Sequence, residues 1–171
     1  ELAEETTAFD VQYPRVKIAP GGIGQFQLGD EMAKSFTAIV AISQKIRGYW
    51  PKKESGSAPP VCSSKDSLHG HFDAGLSEEE FKAAASAHMV HPAIPLLGKK
   101  GVQVPEVWEC ARCPLSQWGS AHQNGEGKGQ ACKSMARLLL LIDGWALPAL
   151  MTLPPTSLKP WGAYCSAQRS K

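Results

Sequence analysis

Apolar and polar positions alternate from the start of the readable pattern. Pro14-Arg15-Val16-Lys17-Ile18 has the period of two that predicts a half-buried strand, and after the Gly21-Gly22 turn Gly24-Gln25-Phe26-Gln27-Leu28 predicts a second. Gly29-Asp30-Glu31 predicts another turn. Ser35 to Trp50 is the longest regular stretch, β-branched and roughly alternating. It predicts a long strand bent or bulged near Ser43-Gln44, with a helix as the alternative. Lys45, Arg47 and Tyr49 then share one face, and Ile46, Gly48 and Trp50 the other. From Cys62 to about Pro105 the pattern dissolves into Ser, Gly, His and Pro, too long for a simple connection and read as an insertion. Within it Leu76 to Ala85 predicts a short helix, with Ser77 as N-cap and Glu80 as its capping-box partner. Leu138 to Ile142 reads as a buried strand, Asp143-Gly144 as a tight turn, and Leu147 to Leu153 as an edge strand. A last helix is predicted over Leu158 to Ala167.

Short strands with Gly/Pro turns and one long insertion predict a mainly β (α+β) fold: a small OB-like β-barrel, a loop-rich insertion and one or two short helices. Residues 1–13 read as a flexible acidic lead-in. The stretch 14–171 reads as one domain, with the insertion at about 58–135. Length and a hydrophobic content of 43% in 171 residues allow a real core.

Cysteine placement changes this picture most. Cys110-Ala111-Arg112-Cys113-Pro114 puts two thiols on one turn, and Cys132 follows within Gly127-Lys128-Gly129-Gln130-Ala131-Cys132-Lys133. Cys62 lies upstream in Pro60-Val61-Cys62-Ser63-Ser64. A structural zinc takes four N or S ligands, and Cys-x-x-Cys pairs grip it from one turn. The reading is structural Zn2+ on Cys62, Cys110, Cys113 and Cys132, with His69, His71, His88 or His91 as alternatives to Cys62. Buried free thiols are the plainer account of such residues. Against it, the pair borders a polar turn, and Cys132 sits among Gly and Lys. Cys165 reads as a buried free thiol near a strand end. No charged leader followed by an apolar run is visible, and Leu138 to Ile142 is too short to span a bilayer. Cysteines in that context favour a reducing, cytoplasmic compartment.

Catalytic metal chemistry finds less support. The zinc-deaminase pattern fails because Pro114 follows the pair and no His-x-Glu occurs, and His88-Met89-Val90-His91 lacks the Glu and spacing of His-Glu-x-x-His. Gly127-Lys128-Gly129 is not a phosphate-binding loop. No enzyme is therefore expected; a metal-dependent nuclease is the least favoured reading.

A net charge of +2 does not by itself mark a nucleic-acid binder. Basic and aromatic residues nevertheless cluster, as a sequence-tolerant groove for single strands requires. The candidate contacts are Arg15, Lys17, Lys45, Arg47, Tyr49, Trp50, Arg112, Trp118, Lys128 and Lys133. The alternative is a solvated sheet face beside core tryptophans, with Trp145 and Trp161 the foremost core candidates.

The order of these segments runs through Pro14-Arg15-Val16-Lys17, Arg47-Gly48-Tyr49-Trp50, Cys110 to Pro114 with Trp118-Gly119-Ser120, Gly127 to Lys133, and Leu153-Pro154-Pro155-Thr156-Ser157-Leu158-Lys159. It resembles phage and mobile-element single-stranded DNA-binding proteins with a zinc-stapled OB-fold, akin to the phage helix-destabilising protein. The resemblance spans about Pro14 to Tyr164. It implies metal ligation by Cys110, Cys113, Cys132 and Cys62, and DNA contact at Arg47, Tyr49 and Lys128. It further implies a role in DNA replication or recombination, in a bacterial or phage-infected cell, with self-association and with replication or recombination proteins as partners. The chain departs from that protein, which has a histidine ligand and an acidic tail; Gln168-Arg169-Ser170-Lys171 is basic. A zinc-stapled protein-interaction module is the alternative, an adaptor or a subunit of a replication or virion complex.

Overall fold

The computed structural model describes residues 13–19, 24–50, 60–72, 91–97, 99, 103, 105–121 and 129–169. It is mainly β, as the alternation predicts. Among the described residues nine strands form: β1 (Arg15–Ile18), β2 (Phe26–Leu28), β3 (Glu31–Ala33), β4 (Ala38–Tyr49), β5 (Cys62–Ser64), β6 (His69–Phe72), β7 (Val107–Glu109), β8 (Cys132–Ile142) and β9 (Ala149–Leu153). One helix spans Pro155–Arg169. The strands are hydrogen-bonded in the order β3-β2-β1-β9-β8-β4-β5-β6-β7.

The chain divides into two compact units, 1–43 with 137–153, and 44–136 with 154–171. In the first, β1 pairs antiparallel with β2 (Val16↔Leu28) and parallel with β9 (Val16↔Met151). Its buried side chains include Val16, Leu138, Leu140, Ala149, Met151 and Leu153. Leu138 and Leu140 are buried while Leu141 is exposed, the alternation of a strand with one covered face. Sequence places β9 at a sheet edge, because Pro148 and Pro154 flank it. That is corrected here: β9 lies between β1 and β8, and the prolines fall just outside its ladder.

In the second unit β4, β5, β6 and β7 form an antiparallel meander, with registers Tyr49↔Cys62, Cys62↔Phe72 and Gly70↔Trp108. Ser67 takes a left-handed backbone (φ 64°) in the β5–β6 turn. That turn is built around Asp66, whose carboxylate accepts from Leu68 N and His69 N at 2.8 Å each and from the Ser64 hydroxyl at 3.0 Å. These bonds, the His69 backbone amide foremost, hold the Asp66 carboxyl far below its usual range. The predicted helix over Leu76–Ala85 lies outside the described residues. The last helix forms, but Cys165 sits on it half-buried, not near a strand end. Trp161 stacks on Tyr164 within this helix, which has no buried side chain. Trp161 is therefore half-exposed and not core, and Trp145 is half-buried. No helix among the described residues is long and apolar enough to cross a membrane.

Candidate metal centre

Strand alternation decides which groups meet in the second unit. On one face of the meander lie Arg47 and Tyr49 of β4, Cys62 and Ser64 of β5, Gly70 and Phe72 of β6, and Trp108 of β7. Gly48, Ser63, His69, His71, Val107 and Glu109 take the other face. Just past β7 the chain turns, with Arg112 N and Cys113 N donating to Glu109 O at 3.1 Å each. Pro114–Ser116 then forms a 3-10 turn. This brings Cys110 and Cys113 under the sheet, and the first residue of β8 adds Cys132.

One small cavity is lined by all four thiols, Cys62, Cys110, Cys113 and Cys132, together with Tyr49, Gly70, His91, Trp108, Leu115 and Ser116. Among the described residues, no three His, Cys, Asp or Glu side chains are already gathered at metal-holding spacing. Drawing the thiols onto one ion is the step that metal binding would have to drive. The backbone of Leu115 and of Ser116 hydrogen-bonds to the Cys113 sulfur, favouring its thiolate. The Ser116 hydroxyl donates to the carbonyl of Cys110, tying the two ends of the Cys-x-x-Cys turn.

Gly70 is the residue that leaves room. A Cβ there would stand 3.1 Å from the Cys62 sulfur and 3.5 Å from that of Cys110. Gly70→Ala is expected to push these sulfurs apart and to cost about 1–3 kcal/mol of stability in the metal-loaded protein. A paired thermal melt and chelator competition checks this; unchanged values would show that the cradle is slack.

Burial makes the thiols reluctant to ionise without a metal. Burial first, with the neighbouring thiols adding to it, pushes Cys62 and Cys132 up to about 12, while the Arg47 guanidinium works the other way at Cys132. Cys113 is also raised, by burial first. A folded value above the unfolded one adds stability that is complete below the unfolded value and lost as pH rises toward the folded one. Metal-free protein should therefore lose stability between about pH 9 and pH 12, while metal-loaded protein, already thiolate, should not show this loss. A urea-melt series against pH, with and without zinc, reads it.

The other predicted site residues scatter. Arg15, Lys17, Lys45 and Lys133 are exposed. Arg112 is exposed and pairs with Glu109 at 3.1 Å, a surface contact that holds it weakly. Two DNA-contact expectations are corrected. Tyr49 is 2% exposed and packs with Val61, Cys62 and Phe72, so no base can stack on it. Arg47 turns inward: its Nε and Nη1 are buried without a partner, and its guanidinium hydrogen-bonds to Cys132. Trp50 is half-buried, with its ring lying over Gly48, where any Cβ would meet it at 2.5 Å. Trp118 is 75% exposed. Lys128 and His88 lie outside the described residues.

Sequence reading also missed His91 as part of this centre, treating it only as a spare ligand. It is 1% exposed, stacked on Phe72 at 4.7 Å and edge-on to Trp108 at 5.3 Å. Burial lowers it to about 4, so it is neutral at physiological pH. Pro92 next to it was the available signal of a fixed turn. No protein-family model matches the chain, and comparison with curated proteins and with solved structures gave no match either.

Proposed function

We propose that this chain is a non-enzymatic, sequence-tolerant single-stranded DNA-binding protein whose second unit is stapled by a structural zinc on Cys62, Cys110, Cys113 and Cys132. The donor set suits that metal: soft thiols, two of them on a Cys-x-x-Cys turn, and one of these, Cys113, with amide bonds to its sulfur. No other residue need be supplied from solvent, so the centre is closed and structural rather than catalytic.

The observation that carries the nucleic-acid half is Trp118. A tryptophan 75% exposed is held on a pinned loop, not on a loose one. Gly119 N donates to Gly129 O at 2.6 Å, Gln117 Nε2 to Ala111 O at 2.9 Å, and Ala131 N to the Ser120 hydroxyl at 2.9 Å. A solvent-facing indole on a backbone held in place is what a base-stacking platform requires, and Arg112 and Lys133 are exposed in the same unit for phosphates. The stacking role thus passes from Tyr49 to Trp118.

Titration of zinc-loaded protein into fluorescent oligo-dT tests this. Binding should be steeply salt-dependent, with a slope of about 0.7 per phosphate neutralised. Trp118→Ala should cost about 1–3 kcal/mol of binding and leave the melt unchanged. Salt-independent binding, or none, sinks the reading. A second reading, a protein-interaction module, draws on the exposed Ile39, Val40 and Ile42 of β4. It expects no oligo-dT binding at all, with zinc still present.

A further inference from the structure

On the zinc reading above, the charge of four thiolates has to be tolerated in a low-dielectric site, and His91, buried beside them, has to have a role other than Cys62's. Zinc held by four thiolates keeps a net double negative charge. Such a centre is stable in a buried place only with hydrogen-bond donors and a cation beside it.

The second unit holds those groups, and they lack any other use. Arg47 stands on β4 two residues before Tyr49, on the face that carries Cys62. Its Nε and Nη1 are buried and unpartnered, while the guanidinium already bonds to Cys132 and its charge favours the thiolates of Cys132 and Cys113. A buried guanidinium beside neutral thiols is poorly satisfied; beside a tetrathiolate it is paired. Three further donors are buried without a partner: Tyr49 Oη, Trp108 Nε1 and His91 Nε2. All three residues line the thiol cavity. Orphaned buried donors converging on one spot point to an anion there.

His91 can be assigned more closely. The backbone amide of Ala93 donates to His91 Nδ1 at 3.1 Å. Nδ1 is therefore the acceptor, and in the neutral ring the proton sits on Nε2. A nitrogen that carries its proton offers no lone pair to a metal. The remaining described histidines are on the opposite face: His71 is exposed, and exposed His69 holds Asp66 through Nδ1 at 2.8 Å.

We propose that the centre is a four-sulfur site closed by Cys62, that Arg47 is its internal counter-cation, and that His91 is a hydrogen-bond donor to the sulfurs and not a ligand. Arg47 is a positioning residue: it acts on the metal through the sulfurs.

The full chain is loaded with cobalt(II) for its spectrum, and zinc affinity is read by competition with a chromophoric chelator. Wild-type protein should give a four-sulfur cobalt spectrum and bind one zinc. Arg47→Met should weaken zinc binding by about tenfold or more, the scale of losing a partner to a metal ligand, and Arg47→Lys should recover most of it. His91→Phe, which keeps the ring packing, should retain the four-sulfur spectrum. Equal zinc affinity in Arg47→Met and wild type, or a loss as large in Arg47→Lys as in Arg47→Met, overturns the counter-cation. A change in sulfur count in His91→Phe overturns the ligand assignment. Should Arg47→Met not fold, wild-type protein loaded with NMR-active cadmium decides: coupling from an Arg47 guanidinium proton to the metal is expected, and its absence overturns the assignment. Failure of wild-type protein to bind stoichiometric metal is a separate result, and removes the zinc reading itself.

Discussion

Serine in place of Cys132 is expected to abolish stoichiometric zinc and to remove the cooperative melting of the unit 44–136 with 154–171. The four thiols come from β5, the turn after β7 and the start of β8, so the proposed ion would tie together segments remote in the chain. Structural zinc contributes about 10–16 kcal/mol at neutral pH, and a whole domain has only about 5–15 kcal/mol of net stability. Losing one of four ligands forfeits enough of that to rival the domain's whole net stability. The hydrophobic cluster around the cavity is small: Tyr49, Val61, Cys62, Phe72, Ala93, Ile94, Leu115 and Cys132. Two of its members, Cys62 and Cys132, are proposed ligands themselves. Cys113→Ser, Cys62→Ser and a strong chelator should act alike, and Cys165→Ser should do nothing, since Cys165 is on the helix and far from this cluster in the chain. The measurements are zinc content per chain and a thermal melt of each variant. A metal-free chain that melts like the native one would count decisively against the zinc assignment.

Leu115→Ala is expected to cost about 2–5 kcal/mol in the zinc-loaded protein. Leu115 is 0% exposed and lies among the thiols, two residues after Cys113, whose sulfur accepts a hydrogen bond from its backbone. Truncation leaves a hole in a cluster too small to collapse around it, and loosens the turn that presents two ligands. The same substitution at Leu141, 45% exposed on β8, should stay within about 0.5 kcal/mol. The pair is read by urea melts at fixed zinc. Equal losses at both positions would mean that Leu115 is not part of the metal-supporting core. Trp118→Ala provides the complementary case: a change in binding without a change in stability.

Arg47 shows how far sequence reasoning reached. Alternation placed Lys45, Arg47 and Tyr49 on one strand face, and they do share it. That face looked like a basic-aromatic groove because nothing local says what covers it. In the fold the His91–Ile94 segment and the Cys-x-x-Cys turn with Leu115 pack on its far end, so Tyr49 is core and Arg47 points at sulfur, while Lys45 stays exposed. The long strand was legible through its β-branched run. The lower half of β8 was not, because Cys132-Lys133-Ser134 reads as a polar turn until β4 is beside it. β9 looked like an edge for a similar reason: flanking prolines are local, and the partners β1 and β8 are not.

Sequence alone determined the strand periods, the turns at Gly29 and Gly144, the last helix and which soft donors the chain offers, because each depends on neighbours within a few residues. Only tertiary structure decided that four distant thiols face one cavity, that Gly70 leaves the space for them, and that Arg47 and His91 turn inward. Strand pairing joins residues remote in the chain, and burial, with the electrostatics it creates, exists only once they are joined.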